Sequence, residues 1–138
     1  MKSLTLAIFL LLTLATRASA QSADGDLSSA FSQLKANGAI PFAKALYPDE
    51  PENARQLISQ LSPLIQMAGE FSTFELVSRR FLTKRVERLI VVIYFENFPV
   101  YLRIDSYENS KRRIFLPVKI SRDAADILPF DLISASGK

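Results

Sequence analysis

Tyr101, Arg103, Asp105 and Tyr107 recur at every second position of one segment. In an extended strand that spacing puts all four on one face. A carboxylate, a guanidinium and two phenols on one face could meet a small anionic or carbonyl compound. Asp105 would accept a proton, and Tyr101 or Tyr107 would donate a hydrogen bond. The competing expectation is plain surface pairing, with Arg103 flanked by Asp105 and Glu75 and little energy at stake. Composition narrows the remaining chemistry. The 138 residues include no histidine, no cysteine and only four glycines. Thiol and imidazole catalysis, Ser-His-Asp triads and Cys/His zinc sites are therefore excluded, and there is no glycine-rich phosphate loop. No cofactor and no metal are expected. Binding or self-association is the leading function, ahead of catalysis.

A second group of side chains is basic. Arg79, Arg80, Lys84, Arg85 and Arg88 surround one expected turn, and Lys111, Arg112 and Arg113 another. In a meander the first and third turns lie at the same end of the sheet, so these eight cations are expected together. They would suit anionic lipid, a polyanionic polymer or an acidic partner. Solvated turns that keep apolar hairpins from aggregating are the favoured alternative. The whole chain carries 17 basic and 14 acidic side chains. A modest basic region on so nearly balanced a chain does not point to nucleic acid.

The elements that must position these residues start after an apolar leader. Lys2, the run Leu4–Leu14 and Ala18-Ser19-Ala20 have the layout of a secretory signal peptide over residues 1–20, with cleavage before Gln21. The run is too short for a span of about 20 residues, so no stable membrane span is expected after cleavage. Export to the periplasm, or alternatively secretion, follows from this reading. Residues 21–26 are expected as a flexible start, with Asp24 or Asp26 as N-cap of a helix bearing Leu27, Ala30, Phe31 and Leu34. Gly38 stops that helix, and Pro41 opens a short second one. A third helix begins at Asp49-Glu50-Pro51-Glu52, where Asp49 and Glu52 have capping-box spacing. Ala54, Leu57, Ile58, Leu61, Ile65 and Ala68 make its apolar stripe; Pro63 should kink it, and Gly69 should end it.

Beyond Glu70 the apolar period falls to two. Strands are expected at about 71–82, 86–95, 99–107 and 112–120. A turn centred on Asn97-Phe98 pairs Phe95 with Val100, Ile93 with Leu102, Val91 with Ile104 and Leu89 with Ser106. One face is then nearly all apolar, and register is fixed by burying it. Phe74 and Leu76 join that face from the first strand, and Ile114, Leu116, Val118 and Ile120 from the fourth. The result is an α+β domain over 27–130. N-terminal helices pack on one face of a curved four-stranded antiparallel meander, a short helical turn at 123–128 follows, and residues 131–138 form a tail. The second face holds Ile90, Val92, Tyr94, Tyr101, Tyr107, Phe115 and Pro117 with Glu75, Arg79, Arg88, Arg103, Asp105 and Lys119. Its mixture of aromatic, aliphatic and arginine side chains has interface composition. Val92, Tyr94, Tyr101, Arg103, Asp105 and Tyr107 are the expected contact residues, toward a second copy or an envelope protein.

The entry Gly69-Glu70-Phe71, the hairpin IVVIYFENFPVYLRID and the closing RRIFLPVKISRDAADILP resemble small exported bacterial members of the NTF2-like (cystatin-like α+β) superfamily, of an uncharacterised periplasmic type. The resemblance implies a helices-then-meander fold and, commonly, dimers through the sheet face. It also implies, as an alternative, a small isomerase or hydrolase with Asp105 and Tyr101 or Tyr107 in a pocket. Enzymes of that fold usually keep a pocket histidine, and this chain has none.

Overall fold

A computed structural model describes residues 18–135. Most of the expected leader lies outside the described residues. The first three helices are α1 (Ala18–Asn37), α2 (Ala39–Leu46) and α3 (Pro51–Ala68). The sheet follows as β1 (Phe71–Phe81), β2 (Val86–Phe95), β3 (Pro99–Glu108), β4 (Arg113–Phe115) and β5 (Lys119–Ser121). A 3-10 turn at Ala124–Asp126 and α4 (Phe130–Ala135) close the chain. The α+β class, with helices before an open antiparallel sheet, is as expected.

Details of the helices differ from the reading of the sequence. α1 starts before Asp24 and Asp26, so neither caps it, and Gly25 is accommodated inside it. Glu50, not Asp49, is the N-cap residue of α3, and it makes no side-chain cap bond. The Asp49 carboxylate is instead taken by Arg112, at 2.5 Å. α3 runs through Pro63 as one helix and ends at Gly69, whose φ of 83° needs a residue without Cβ. The tail expected from residue 131 is largely α4.

The core forms where the helix stripes meet one sheet face. Leu27, Phe31 and Leu34 of α1 and Leu57 and Leu61 of α3 are buried against Leu89, Val91, Ile93, Val100, Leu102 and Ile104. Phe31 joins the layers, stacked on Phe74 of β1 at 4.2 Å and tilted against Phe42 of α2 at 5.1 Å. Burying each such side chain contributes on the order of 1.5–3 kcal/mol.

The β2–β3 faces are as expected, but the pairing is displaced by two residues. Ile93 faces Val100, Val91 faces Leu102, and Leu89 faces Ile104. The turn is centred on Glu96-Asn97. A displacement of two leaves every side chain on its own face, so alternation alone does not distinguish the two pairings. Helix α3 selects one. The Asn97 N–H donates to the Ala68 carbonyl at 2.8 Å and its Nδ2 to the Met67 carbonyl at 3.0 Å.

Two irregularities move side chains across the sheet. A register shift between Leu76 and Ser78 makes Val77 the extra residue, so Arg79 lies opposite Leu89 on the helix side and Arg80 opposite Arg88 on the outer side. Arg79 therefore does not belong to the outer face. The expected fourth strand is two pieces. Asn109 accepts from the N–H groups of Lys111 and Arg112, a local turn that sets Phe115 opposite Ser106. Phe115 is thus in the core and Ile114 faces outward with Tyr107, the reverse of the expectation. Pro117 cannot donate to the ladder. Leu116 still donates its N–H to the Asp105 carbonyl of β3 at 2.8 Å, the chain bows away from β3 only at Pro117-Val118, and pairing resumes with Lys119 opposite Arg103 and Ile120 opposite Leu102.

Candidate functional site

The outer face is where the sequence places the site, and the chain itself covers part of it. On that face Lys119 Nζ donates to the Asp126 carbonyl at 3.0 Å and the Ser121 hydroxyl to the Asp126 carboxylate at 2.6 Å. Five residues on, Asp131 pairs with outer-facing Arg80 at 2.7 Å. Residues 126–131 therefore cross from the β5 edge to the β1 edge. Ile127 is buried under this crossing, and Ile90 and Val92 retain only 1% and 4% of their exposure. The apolar centre of the expected interface thus lies inside the molecule, beneath residues 126–131.

The remaining expected residues do not converge. Val92 lies opposite Tyr101, Ile90 opposite Arg103, Arg88 opposite Asp105, and Val86 opposite Tyr107. Tyr101 and Tyr107 are on the order of 20 Å apart along β3. Asp105 is bound on both oxygens by Arg88, at 2.8 Å each. This bond raises the Arg88 pKa and leaves Asp105 committed to a cation rather than poised as a base. The Tyr94 hydroxyl donates to Glu75 at 2.9 Å, and that bond holds its phenol above the ordinary range. Arg103 is half-buried and has no carboxylate partner among the described residues, so the pairing expected with Asp105 and Glu75 is not made.

The eight cations share one end of the sheet, as the first and third turns do: the Glu108 N–H donates to the Arg85 carbonyl at 2.8 Å. Five are neutralised there. Arg80 holds Asp131, Arg88 holds Asp105 and Arg112 holds Asp49. Arg79 and Arg113 face the helix side and enclose the buried Glu87, at 3.1 and 3.4 Å. Lys84, Arg85 and Lys111 carry no ion pair among the described residues and lie in exposed turns. Three of the eight cations, Lys84, Arg85 and Lys111, are thus left exposed at this end without an acid among the described residues.

The surface that the sequence did not single out is the edge of β1. Among the described residues β1 pairs with β2 alone, so the other side of this 11-residue strand is an open sheet edge. Its side chains include unusually exposed apolar groups. Leu76 is 41% exposed and Phe81 71%, and Leu82, just past the end of the strand, 47%. Phe81 and Leu82 sit directly before the Thr83-Lys84-Arg85 turn, and that adjacency was the available signal. Tyr47 is the second residue missed. Its buried hydroxyl donates to the Leu116 carbonyl at 2.7 Å and accepts from the Val118 N–H at 3.2 Å, holding the bowed segment beside Pro117. Burial pushes its phenol up to about 12, against the lowering by the Val118 N–H.

No protein-family model, curated protein or solved structure matches the chain.

Proposed function

We propose that the protein is an exported, non-enzymatic binding domain that works by self-association, and that its contact surface is the β1 edge rather than the sheet face. The leader pattern supports export, and the order of helices and meander supports kinship with the NTF2-like superfamily. The observation carrying the reading is that β1 is self-complementary in one antiparallel pairing. With a two-fold axis between Val77 and Ser78, Glu75 meets Arg80 of a second copy on the outer face. Phe74 then meets Phe81, and Leu76 meets Arg79, on the helix side. Every pair matches in face because the two bulges at Val77 are apposed. An edge with a bulge and an inward arginine is a poor template for most strands. A copy of the same chain carries the matching irregularity, so the features that blunt promiscuous pairing leave this one available. Opposite charges and apolar pairs across such a junction contribute roughly 0.2–1 kcal/mol each.

Light scattering after size exclusion tests this. The wild-type protein should be a dimer at micromolar concentration. Glu75→Arg and Arg80→Glu should each give monomer, and the Glu75→Arg/Arg80→Glu double variant should regain dimer because the cross-copy pair is restored with its signs exchanged. A wild-type monomer at 100-fold higher concentration would sink the proposal. So would a dimer indifferent to both single substitutions.

A further inference from the structure

The bowed segment and α3 flank an open hollow of about 500 Å³ at the β5 edge. That is within the roughly 300–1,000 Å³ of small-ligand sites. Pro63 and Leu64 of α3 and Val118 and Ile120 of the opposite edge supply apolar walls, and Arg103 and Lys119 line the same hollow. The two cations are direct cross-strand partners. Like charges directly opposite on a sheet repel, and neighbouring strands normally place an acid beside them. Here neither has a carboxylate within ion-pair distance among the described residues. Lys119 donates to a backbone carbonyl. The Asp126 carboxylate accepts from Ser121, and Asp105 is taken by Arg88. The other half-buried or buried arginines with outward or inward neighbours, Arg79, Arg88 and Arg113, all have acids. Arg103 differs from them in lining a hollow instead.

We infer that this hollow is a binding site for a small amphipathic monocarboxylate, its carboxylate between Arg103 and Lys119 and its alkyl or aryl body against Leu64, Val118 and Ile120. The carboxylate would relieve the repulsion between the two cations, and charge-assisted hydrogen bonds to a guanidinium are among the stronger ones available. The apolar body would cover wall surface that α3 and the bowed segment leave open. Tyr47 shapes the hollow from behind, since its two bonds at Leu116 and Val118 hold the chain where it bows off β3 at Pro117. The site lies on the edge opposite β1, so it is independent of self-association.

A titration of the full protein with octanoate, followed by amide ¹H–¹⁵N spectra, tests the inference. Saturable shifts are expected at Leu64, Arg103, Val118, Lys119 and Ile120, with half-saturation below about 1 mM. Octanol, which has the same body without the charge, should bind at least tenfold more weakly. Arg103→Gln and the exposed Lys119→Gln should each weaken octanoate at least tenfold, and Arg85→Gln, a free cation in a distant turn, should not. Non-saturable shifts would overturn the site. Equal affinity for octanol and octanoate, or equal loss in Arg85→Gln, would overturn the role of the two cations. If Arg103→Gln loses spectral dispersion, Lys119→Gln alone decides.

Discussion

Replacing Tyr47 by Phe removes one oxygen and nothing else, yet it should loosen a whole edge of the sheet. The hydroxyl makes two hydrogen bonds, to the Leu116 carbonyl at 2.7 Å and from the Val118 N–H at 3.2 Å. Each net bond is worth about 1 kcal/mol, so Tyr47→Phe should cost about 2 kcal/mol near pH 7. In a domain of this size that lowers Tm by roughly 6–10 °C. The dependence on pH separates the hydroxyl's bonds from a general packing defect. Burial raises the Tyr47 pKa from 10.0 to about 12. The neutral phenol is therefore favoured in the folded state. Its contribution is fully present below pH 10 and is lost as pH rises through about 12. The loss is on the order of 2 kcal/mol, allowing for partial solvation of the hydroxyl. Urea unfolding of both proteins from pH 8 to 12 should show the wild-type advantage shrinking to nothing across the upper two units. Tyr94, also raised, titrates in both proteins and cancels in the difference. Parallel curves, or a cost below about 0.5 kcal/mol at pH 8, would refute the view that this hydroxyl holds the bowed segment.

Three further substitutions probe the frame around these sites. Glu87→Ala leaves Arg79 and Arg113 facing each other without their shared acid and should cost about 3 kcal/mol by urea unfolding, more than Glu108→Ala at the half-exposed partner of Arg113. Gly69→Ala puts a Cβ 2.9 Å from the Glu96 carboxylate at a positive φ, so it should destabilise by about 1–2 kcal/mol, and Glu96→Ala in the same chain should recover only the part due to the carboxylate, since the residue-96 Cβ at 3.1 Å and Asn97 Nδ2 at 3.2 Å stay in place. Phe31→Ala empties the junction of three rings and should cost roughly 3–5 kcal/mol, measurable as a large drop in urea midpoint with an unchanged slope.

The parts of the fold that were legible in the sequence are those fixed by period. The stripe Ala54, Leu57, Leu61 and Ala68 is helical by spacing, and it is buried. The apolar face of β2 and β3 is legible for the same reason, because displacements of two residues do not change it. What local pattern does not carry is set by distant partners. Asn97 takes its place from the end of α3, 30 residues earlier through its side chain. Tyr47 reaches backbone 69 and 71 residues away. The bulge at Val77 has no glycine or proline to announce it, and it moved Arg79 to the other side of the sheet. Pro117 does announce a break, but alternation carried straight through it puts Ile114 and Phe115 on the wrong faces. Of the candidate site, Arg103 was recognised from its spacing. Its neighbours in the hollow, Leu64 and Val118, come together only when α3 meets the β5 edge.

The crossing of residues 126–131 over the outer face also dictates an order of events. The bonds that complete this domain join residues far apart in the chain, 51 for Arg80 with Asp131 and 63 for Arg112 with Asp49. Contacts of such separation form late and slowly. Until Ile127 arrives, Ile90 and Val92 face water on a sheet whose β1 edge is also open. A chain in which residues 126–131 were not yet docked would leave Ile90 and Val92 open to solvent beside the β1 edge, so closing this crossing late would prolong the exposure of the sheet's apolar outer centre.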